Sequence, residues 1–165
     1  MSIRLIAAGG TFDKTYDPLR GELGFDAGSG LPALLARARL AEAPAFEVVM
    51  LRDSLEMTDA DRQALCDACR RAPEASIVIV HGTDTMPETA RRIDDAALGK
   101  TIVLTGAMVP AVIDGSDAEF NLGYALAAAR LARPGVWIAM NARLLPAATA
   151  RKDRARGVFI ESVGD

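Results

Sequence analysis

Five short apolar runs recur along this chain, each separated from the next by a stretch with helical spacing, and no other feature constrains the fold as much. The runs are Ile3 to Ala8, Phe46 to Leu51, Ser76 to Val80, Thr101 to Thr105 and Gly135 to Met140. Because they are apolar at consecutive positions, they predict strands covered on both faces, as in a parallel sheet. Helical patterns fall near Gly30 to Ala41, Asp59 to Ala72, Pro87 to Ala97 and Glu119 to Ala132, and a last strand is expected within Gly157 to Ser162. Strands that alternate with helices form βαβ units, for which right-handed crossovers are nearly obligatory. The expected fold class is therefore α/β: three layers, an open and mostly parallel sheet with helices on both faces, Rossmann-like or flavodoxin-like.

At 165 residues, 50% hydrophobic and 25% charged, the chain has the size and composition of one globular domain spanning residues 1–165. No low-complexity linker or internal repeat divides it. The formal net charge is −3, with basic residues scattered among carboxylates, so nucleic acid is not an expected partner. No stretch approaches the roughly 18 apolar residues of a membrane span, and the first apolar run stops at Gly9, too short for a signal-peptide core. A soluble, cytoplasmic protein is expected. Cys66 and Cys69 form a single CxxC, and neither a second pair nor a histidine cluster completes a zinc site, since His81 is the one histidine. Neither a metal nor a cofactor is expected; the two thiols read as packed on a helix face, with a redox pair as the alternative. Thr11 to Gly30, with Pro18 and several glycines, reads as a mobile loop.

Ligands of open parallel sheets bind outside the carboxyl ends of the strands, where loops and helix N-termini converge. At that rim the sequence places Gly9-Gly10-Thr11 after the first run, Arg52-Asp53-Ser54 after the second and His81-Gly82-Thr83-Asp84-Thr85 after the third. Gly106-Ala107-Met108 follows the fourth, and Asn141 and then Lys152 follow the fifth. Hydroxyls, carboxylates, a lysine and glycine-exposed backbone gather at one edge, with Gly10, Asp53 and Gly82 among the candidate binding positions.

Each of these positions also has a structural reading. Gly9-Gly10-Thr11 could serve a nucleotide phosphate, but it is not GxGxxG and the segment after it does not open a helix. Thr83, Asp84 and Thr85 could all be helix caps. Capping needs one of them, and Thr85 with Glu88 makes a T-x-x-E capping box with Pro87 in the first turn, which leaves Thr83 and Asp84 without a structural task. Ser54 alone reads as a turn residue, Lys152 within Arg151-Lys152-Asp153-Arg154 as part of a solvated charge run, and His81 as a satisfied structural histidine. With one histidine placed before a Gly-Thr-Asp turn, a Ser-His-Asp arrangement is not expected.

Several of these segments resemble one known family. Ala8-Gly9-Gly10-Thr11-Phe12 is similar to the first signature of bacterial-type L-asparaginases, and His81-Gly82-Thr83-Asp84-Thr85-Met86 with Glu88-Thr89-Ala90 resembles the second almost letter for letter. Thr105 to Pro110, Phe120-Asn121-Leu122 and Met140-Asn141 extend the likeness, which covers essentially the whole chain as that family's larger N-terminal domain. The resemblance implies an amidohydrolase that splits the side-chain amide of asparagine or a related small-molecule amide into carboxylate and ammonia. It further implies that Thr11 is the nucleophile, that Thr83, Asp84 and Lys152 form a second triad activating a hydroxyl or water, and that Tyr16 orients the nucleophile. Ser54 would bind the α-carboxylate, Asp84 the α-amino group, and the Ala107 carbonyl the amide nitrogen. A homo-oligomer, dimer or tetramer, is expected by the same analogy.

Two departures bear on substrate. The family's smaller C-terminal domain has no counterpart in these 165 residues, and Leu55 stands where many members have a glutamine that helps hold the amino group. N-substituted or larger amides therefore join the expected substrates, and a non-catalytic module binding an amino acid or carboxylate is the alternative function. Val109, in place of the family's arginine, is a lesser departure. A threonine hydroxyl needs a base and an oxyanion pocket to attack an amide. Lys152, acting through Thr83, is the expected base; it must be neutral to accept a proton, and Arg151 and Arg154 are the cations expected to favour that form against Asp84.

Overall fold

The computed structural model describes residues 2–162; Met1 and residues 163–165, the ends of the expected domain, lie outside the described residues. The chain opens with β1 (Ile3–Gly9), a 3-10 turn at Thr11–Asp13, β2 (Lys14–Asp17), β3 (Glu22–Phe25), α1 (Leu31–Arg37) and β4 (Ala45–Arg52). A second 3-10 turn, Ser54–Glu56, precedes α2 (Asp59–Arg71), β5 (Ser76–Val80), α3 (Met86–Asp94) and β6 (Thr101–Thr105). The remainder is α4 (Ala118–Leu131), β7 (Gly135–Met140), β8 (Arg143–Pro146), β9 (Ala150–Asp153) and β10 (Val158–Glu161).

The main sheet has six strands in the order β4-β1-β5-β6-β7-β8, parallel except for the β7–β8 pair. Counted along the chain, its five parallel strands lie second-first-third-fourth-fifth, the flavodoxin-like order. The expected three-layer α/β fold is thus present, and the order decides between its two variants. Alternate side chains of each strand feed two cores. On one face Ile6, Ile77, Ile79, Leu104 and Ile138 pack with Leu65 and Cys69 of α2 and Met86 and Ile93 of α3. On the other, Leu5, Ala7, Val78, Val80 and Val103 pack with Leu31 and Leu34 of α1 and Leu122 and Ala125 of α4. Every residue of β5 and β6 is buried, as consecutive apolar positions in central strands require. Truncating a large aliphatic side chain in either core costs about 2–5 kcal/mol.

Several expectations are corrected. Thr11 to Gly30 is not simply a loop: β2 and β3 pair as an antiparallel hairpin, Lys14 opposite Phe25 and Asp17 opposite Glu22. Helix α1 stops at Arg37 rather than Ala41, because Arg39 takes a left-handed backbone with φ of 50°. The run Phe46 to Leu51 is not covered on both faces; β4 is an edge strand and Val48 is exposed. The last strand expected within Gly157 to Ser162 is present as β10, which pairs with β9 in a separate two-stranded ribbon. The capping box lies at α2, where Thr58 and Asp61 satisfy each other's backbone N–H, and not at Thr85, whose side chain caps nothing. Cys66 and Cys69 are free and buried on α2, and burial pushes the Cys69 thiol up to about 12, which disfavours thiolate chemistry. Among the described residues no helix is long and apolar enough to cross a membrane.

Candidate active site

The strand order reverses at β1, whose neighbours β4 and β5 are reached in opposite directions, and a crevice at the carboxyl ends of such strands is where ligands bind. Loops from β1, β4 and β5 meet there at backbone distance because two positions lack a Cβ. A Cβ on Gly10 would lie 2.3 Å from the Gly82 nitrogen, and one on Gly82 would lie 2.6 Å from the Ser54 Oγ. Gly10 also needs φ of 78° with an extended ψ, a conformation open essentially to glycine alone. Its N–H donates to the Arg52 carbonyl at 2.9 Å, and the Thr85 hydroxyl donates to the Ser54 carbonyl at 2.7 Å, so the three loops are joined by hydrogen bonds as well as by contact.

The side chains expected at the rim fall into two groups. Thr11 opens the 3-10 turn directly after Gly10 and is half-buried, Ser54 and Thr83 are buried, and Asp84 is half-buried beside Thr83. Lys152 reaches them from β9: its Nζ donates to Thr83 Oγ1 at 2.8 Å and to Asp84 Oδ1 at 2.9 Å, with its side chain 9% exposed. Phe159, opposite Lys152 on β10 and buried in the core, anchors the ribbon that delivers it. The charge-run reading of Lys152 therefore fails for this one residue. It holds for Arg151 and Arg154, both exposed, and Arg151 lies on the other face of β9; the charge beside the lysine is Asp84. Ala107 is buried at the same edge, after β6.

The second group stands apart. Tyr16, on β2, is exposed and lies opposite Leu23 in the hairpin. Asp53 spends both carboxylate oxygens on protein: Oδ2 accepts from Lys14 Nζ at 2.6 Å and Oδ1 from the Leu55 N–H at 3.0 Å. Leu55 is exposed.

Below the rim, His81 is fully buried and braces the Gly82-Thr83 turn. Its Nδ1 lies 2.7 Å from the Gly82 carbonyl and so carries the proton, while Nε2 accepts from the Thr89 hydroxyl at 2.9 Å. Burial pushes its pKa down to about 4, keeping the imidazole neutral; the structural reading of this histidine holds.

Three residues at the site's margin escaped the sequence reading of roles. Asp117 accepts from the N–H groups of Met108 and Val109 at 3.0 Å each, holding the turn that bears Ala107. Asn121 donates to the Gly106 carbonyl at 3.1 Å and accepts from the Asn141 N–H at 3.3 Å, tying β6 to β7. Its signal was legible: a polar amide on the apolar face of a helix demands partners. Lys14 carried no comparable signal. A cavity of about 330 Å³ lined by Ile3, Glu42, Leu126 and Arg130 lies at the start of β1, at the opposite edge from these groups.

Residues 2–159 match the family model "Asparaginase, N-terminal". The chain belongs to the asparaginase family. It is 32% identical over 137 residues to L-asparaginase 1 of Escherichia coli K12, an alignment covering 76% of this chain and 39% of that protein. The thermostable L-asparaginase from Thermococcus kodakarensis superposes with a TM-score of 0.81 at 27% identity, over 98% of this chain and 51% of that one. L-asparaginase I from Vibrio cholerae superposes with a TM-score of 0.80 at 29% identity, over 99% of this chain and 52% of that one. The chain thus spans about half the length of these solved asparaginases and less of the curated relative.

Proposed function

We propose that this chain is an L-asparaginase-type amidohydrolase that converts the side-chain amide of L-asparagine, or of a related small molecule, to a carboxylate and ammonia. The observation that carries the reading is the Lys152–Thr83–Asp84 cluster, assembled from β9 and the β5–α3 turn beside the Gly10-Thr11 seam. Family membership and the likeness to named L-asparaginases support it.

In this reading the Thr11 hydroxyl attacks the amide carbon and passes its proton through Thr83 to Lys152 in its uncharged amine form. Collapse of the tetrahedral adduct breaks the C–N bond, and the nitrogen leaves as ammonia after taking that proton back from the Thr83–Lys152 pair. The resulting threonyl ester is cleaved by water, which returns the proton to Thr11 and releases the carboxylate. Backbone N–H groups beside Thr11 and Thr83 stabilise the oxyanion, Ser54 binds the α-carboxylate with Gly10 and Gly82 shaping the floor, and the Ala107 carbonyl accepts from the amide nitrogen. Asp84 serves both Lys152 and the substrate's amino group, and Tyr16, on the hairpin that directly follows the Thr11 turn, orients the nucleophile. Cytoplasmic location and assembly into a dimer or tetramer complete the proposal.

Ammonia release from asparagine, glutamine, N-acyl asparagines and small amides, coupled to glutamate dehydrogenase, tests it. Thr11→Ala and Thr83→Ala should each lower turnover by roughly 100-fold or more, the scale of removing one catalytic group, at unchanged melting temperature. Turnover near the unsubstituted rate in both variants rejects the reading, and carboxylate binding without ammonia release identifies a binding module instead.

A further inference from the structure

We propose that Lys14 is a positioning residue, whose ion pair with Asp53 docks the β2–β3 hairpin on the Ser54 turn and thereby sets the nucleophile against the carboxylate-binding serine. The inference rests on the asparaginase reading of Thr11 and Ser54.

Lys14 lies three residues after Thr11, and Asp53 immediately precedes Ser54. The 3-10 turn Thr11–Asp13 is the whole of the chain between Gly10 and the hairpin, so movement of the hairpin is transmitted directly to the threonine. Its far end is held: Asp13 Oδ1 accepts from Ser29 Oγ at 2.8 Å and from the Gly30 N–H at 3.0 Å, closing the base of the hairpin onto α1. The near side depends on Lys14. Among the described residues, Lys14–Asp53 is the one ion pair or side-chain hydrogen bond joining residues 14–25 to the rest of the molecule; the other, Arg20–Asp17, is internal to the hairpin.

The pair is built for geometry rather than for stability. Both groups are partly exposed, with side-chain exposures of 21% and 30%, a setting in which an ion pair adds little to stability. Each partner is nevertheless fixed from a second direction. The Lys14 ammonium also sits 5.8 Å from the centroid of the Phe25 ring, the residue opposite it in the hairpin, and Asp53 is held by the Leu55 N–H. The Lys14 hydrogen bond is the main cause holding the Asp53 carboxyl below the usual carboxylate range, so that carboxylate stays charged through the neutral region. Asp53, which the rim topology marked for substrate, is in this account occupied in aligning the site.

The two ends of the tether predict different effects on binding and on chemistry. Without Lys14, Asp53 keeps its bond to Leu55, so the Ser54 turn and substrate binding should change little. Thr11 loses its restraint, and a misplacement of about 1 Å costs on the order of 100-fold in rate. Lys14→Met should therefore lower kcat for ammonia release by about 10-fold to 100-fold while KM moves less than about threefold. Lys14→Arg should restore most of the loss. Asp53→Asn should reproduce the kcat effect, and the double variant should be no worse than either single one. In parallel, backbone hydrogen exchange over residues 14–25 should quicken in Lys14→Met and Asp53→Asn but not in the control Arg20→Met, with melting temperatures within a few degrees of each other. Unchanged kcat in Lys14→Met of an active enzyme overturns the inference, as does a loss that Lys14→Arg fails to restore. If the unsubstituted protein releases no ammonia from any amide, the proposed reaction falls and exchange decides the clamp: quickening in both variants upholds it, and an unchanged hairpin overturns it.

Discussion

Removing water from one imidazole has consequences for the whole stability curve. His81 titrates near 6.5 when unfolded but near 4 when folded, because burial disfavours its charged form. Between those values the unfolded chain binds the extra proton, so stability is full above about pH 6.5 and falls as the pH drops toward 4, by on the order of 3 kcal/mol from this group. Asp13 opposes it: burial raises that carboxyl, so protonation favours the folded chain as the pH falls through its folded value. Thermal melts at pH 7 and pH 4.5 should show the histidine's slope. His81→Gln should lower the melting temperature at pH 7 yet flatten the dependence; an undiminished slope in that variant would show that other groups set it. The same residue illustrates what single positions reveal. A lone histidine after an apolar run reads correctly as a braced core group, and Thr83 and Asp84 stood out because helix capping could not employ all three polar residues of the turn. Lys152 did not stand out from its charged neighbours, because only pairing across β9 and β10 selects which of them turns inward.

Elements were legible where one period dominated and illegible where partners came from elsewhere. The five parallel strands and four helices announce themselves by repeated apolar spacing. The β2–β3 hairpin and the short strands β8 and β9 do not, since four residues carry too little pattern and their pairing is decided by neighbours distant in sequence. The ends of α2 show the same division. Its N-terminus is capped locally by Thr58 and Asp61, but its C-terminus is capped from the loop before β6: Lys100 Nζ donates to the carbonyls of Cys69, at 2.8 Å, and of Ala72. A cation there satisfies otherwise unpaired carbonyls and opposes the helix dipole. Lys100→Met should therefore cost about 1 kcal/mol in chemical denaturation, with ammonia release unaltered at 25 °C. A variant as stable as the parent would show the contact to be idle.

At the scale of the molecule, the site is a product of strand order. Placing β1 between β4 and β5 brings three loops to one seam, and the absence of two Cβ atoms lets them close. Gly10→Ala should therefore act as a global lesion. The left-handed backbone alone costs about 1–3 kcal/mol, and the added methyl meets the Gly82 backbone at 2.3 Å. A drop in melting temperature of roughly 5–10 °C is expected, with turnover lost in the fraction still folded; a drop of under 2 °C would mean that the seam yields easily. Sequence patterning gave access to the layers and to the rim but not to the tether across the seam, because an exposed lysine and aspartate look alike whether they meet or not. The span between the paired groups carries a further implication. Lys152 and Thr83 are 69 positions apart, with β6, β7 and β8 lying between the turn after β5 and the strand β9 that carry them. During synthesis the threonines emerge before the amine, so a chain stopped short of β9 cannot assemble the Lys152–Thr83–Asp84 cluster.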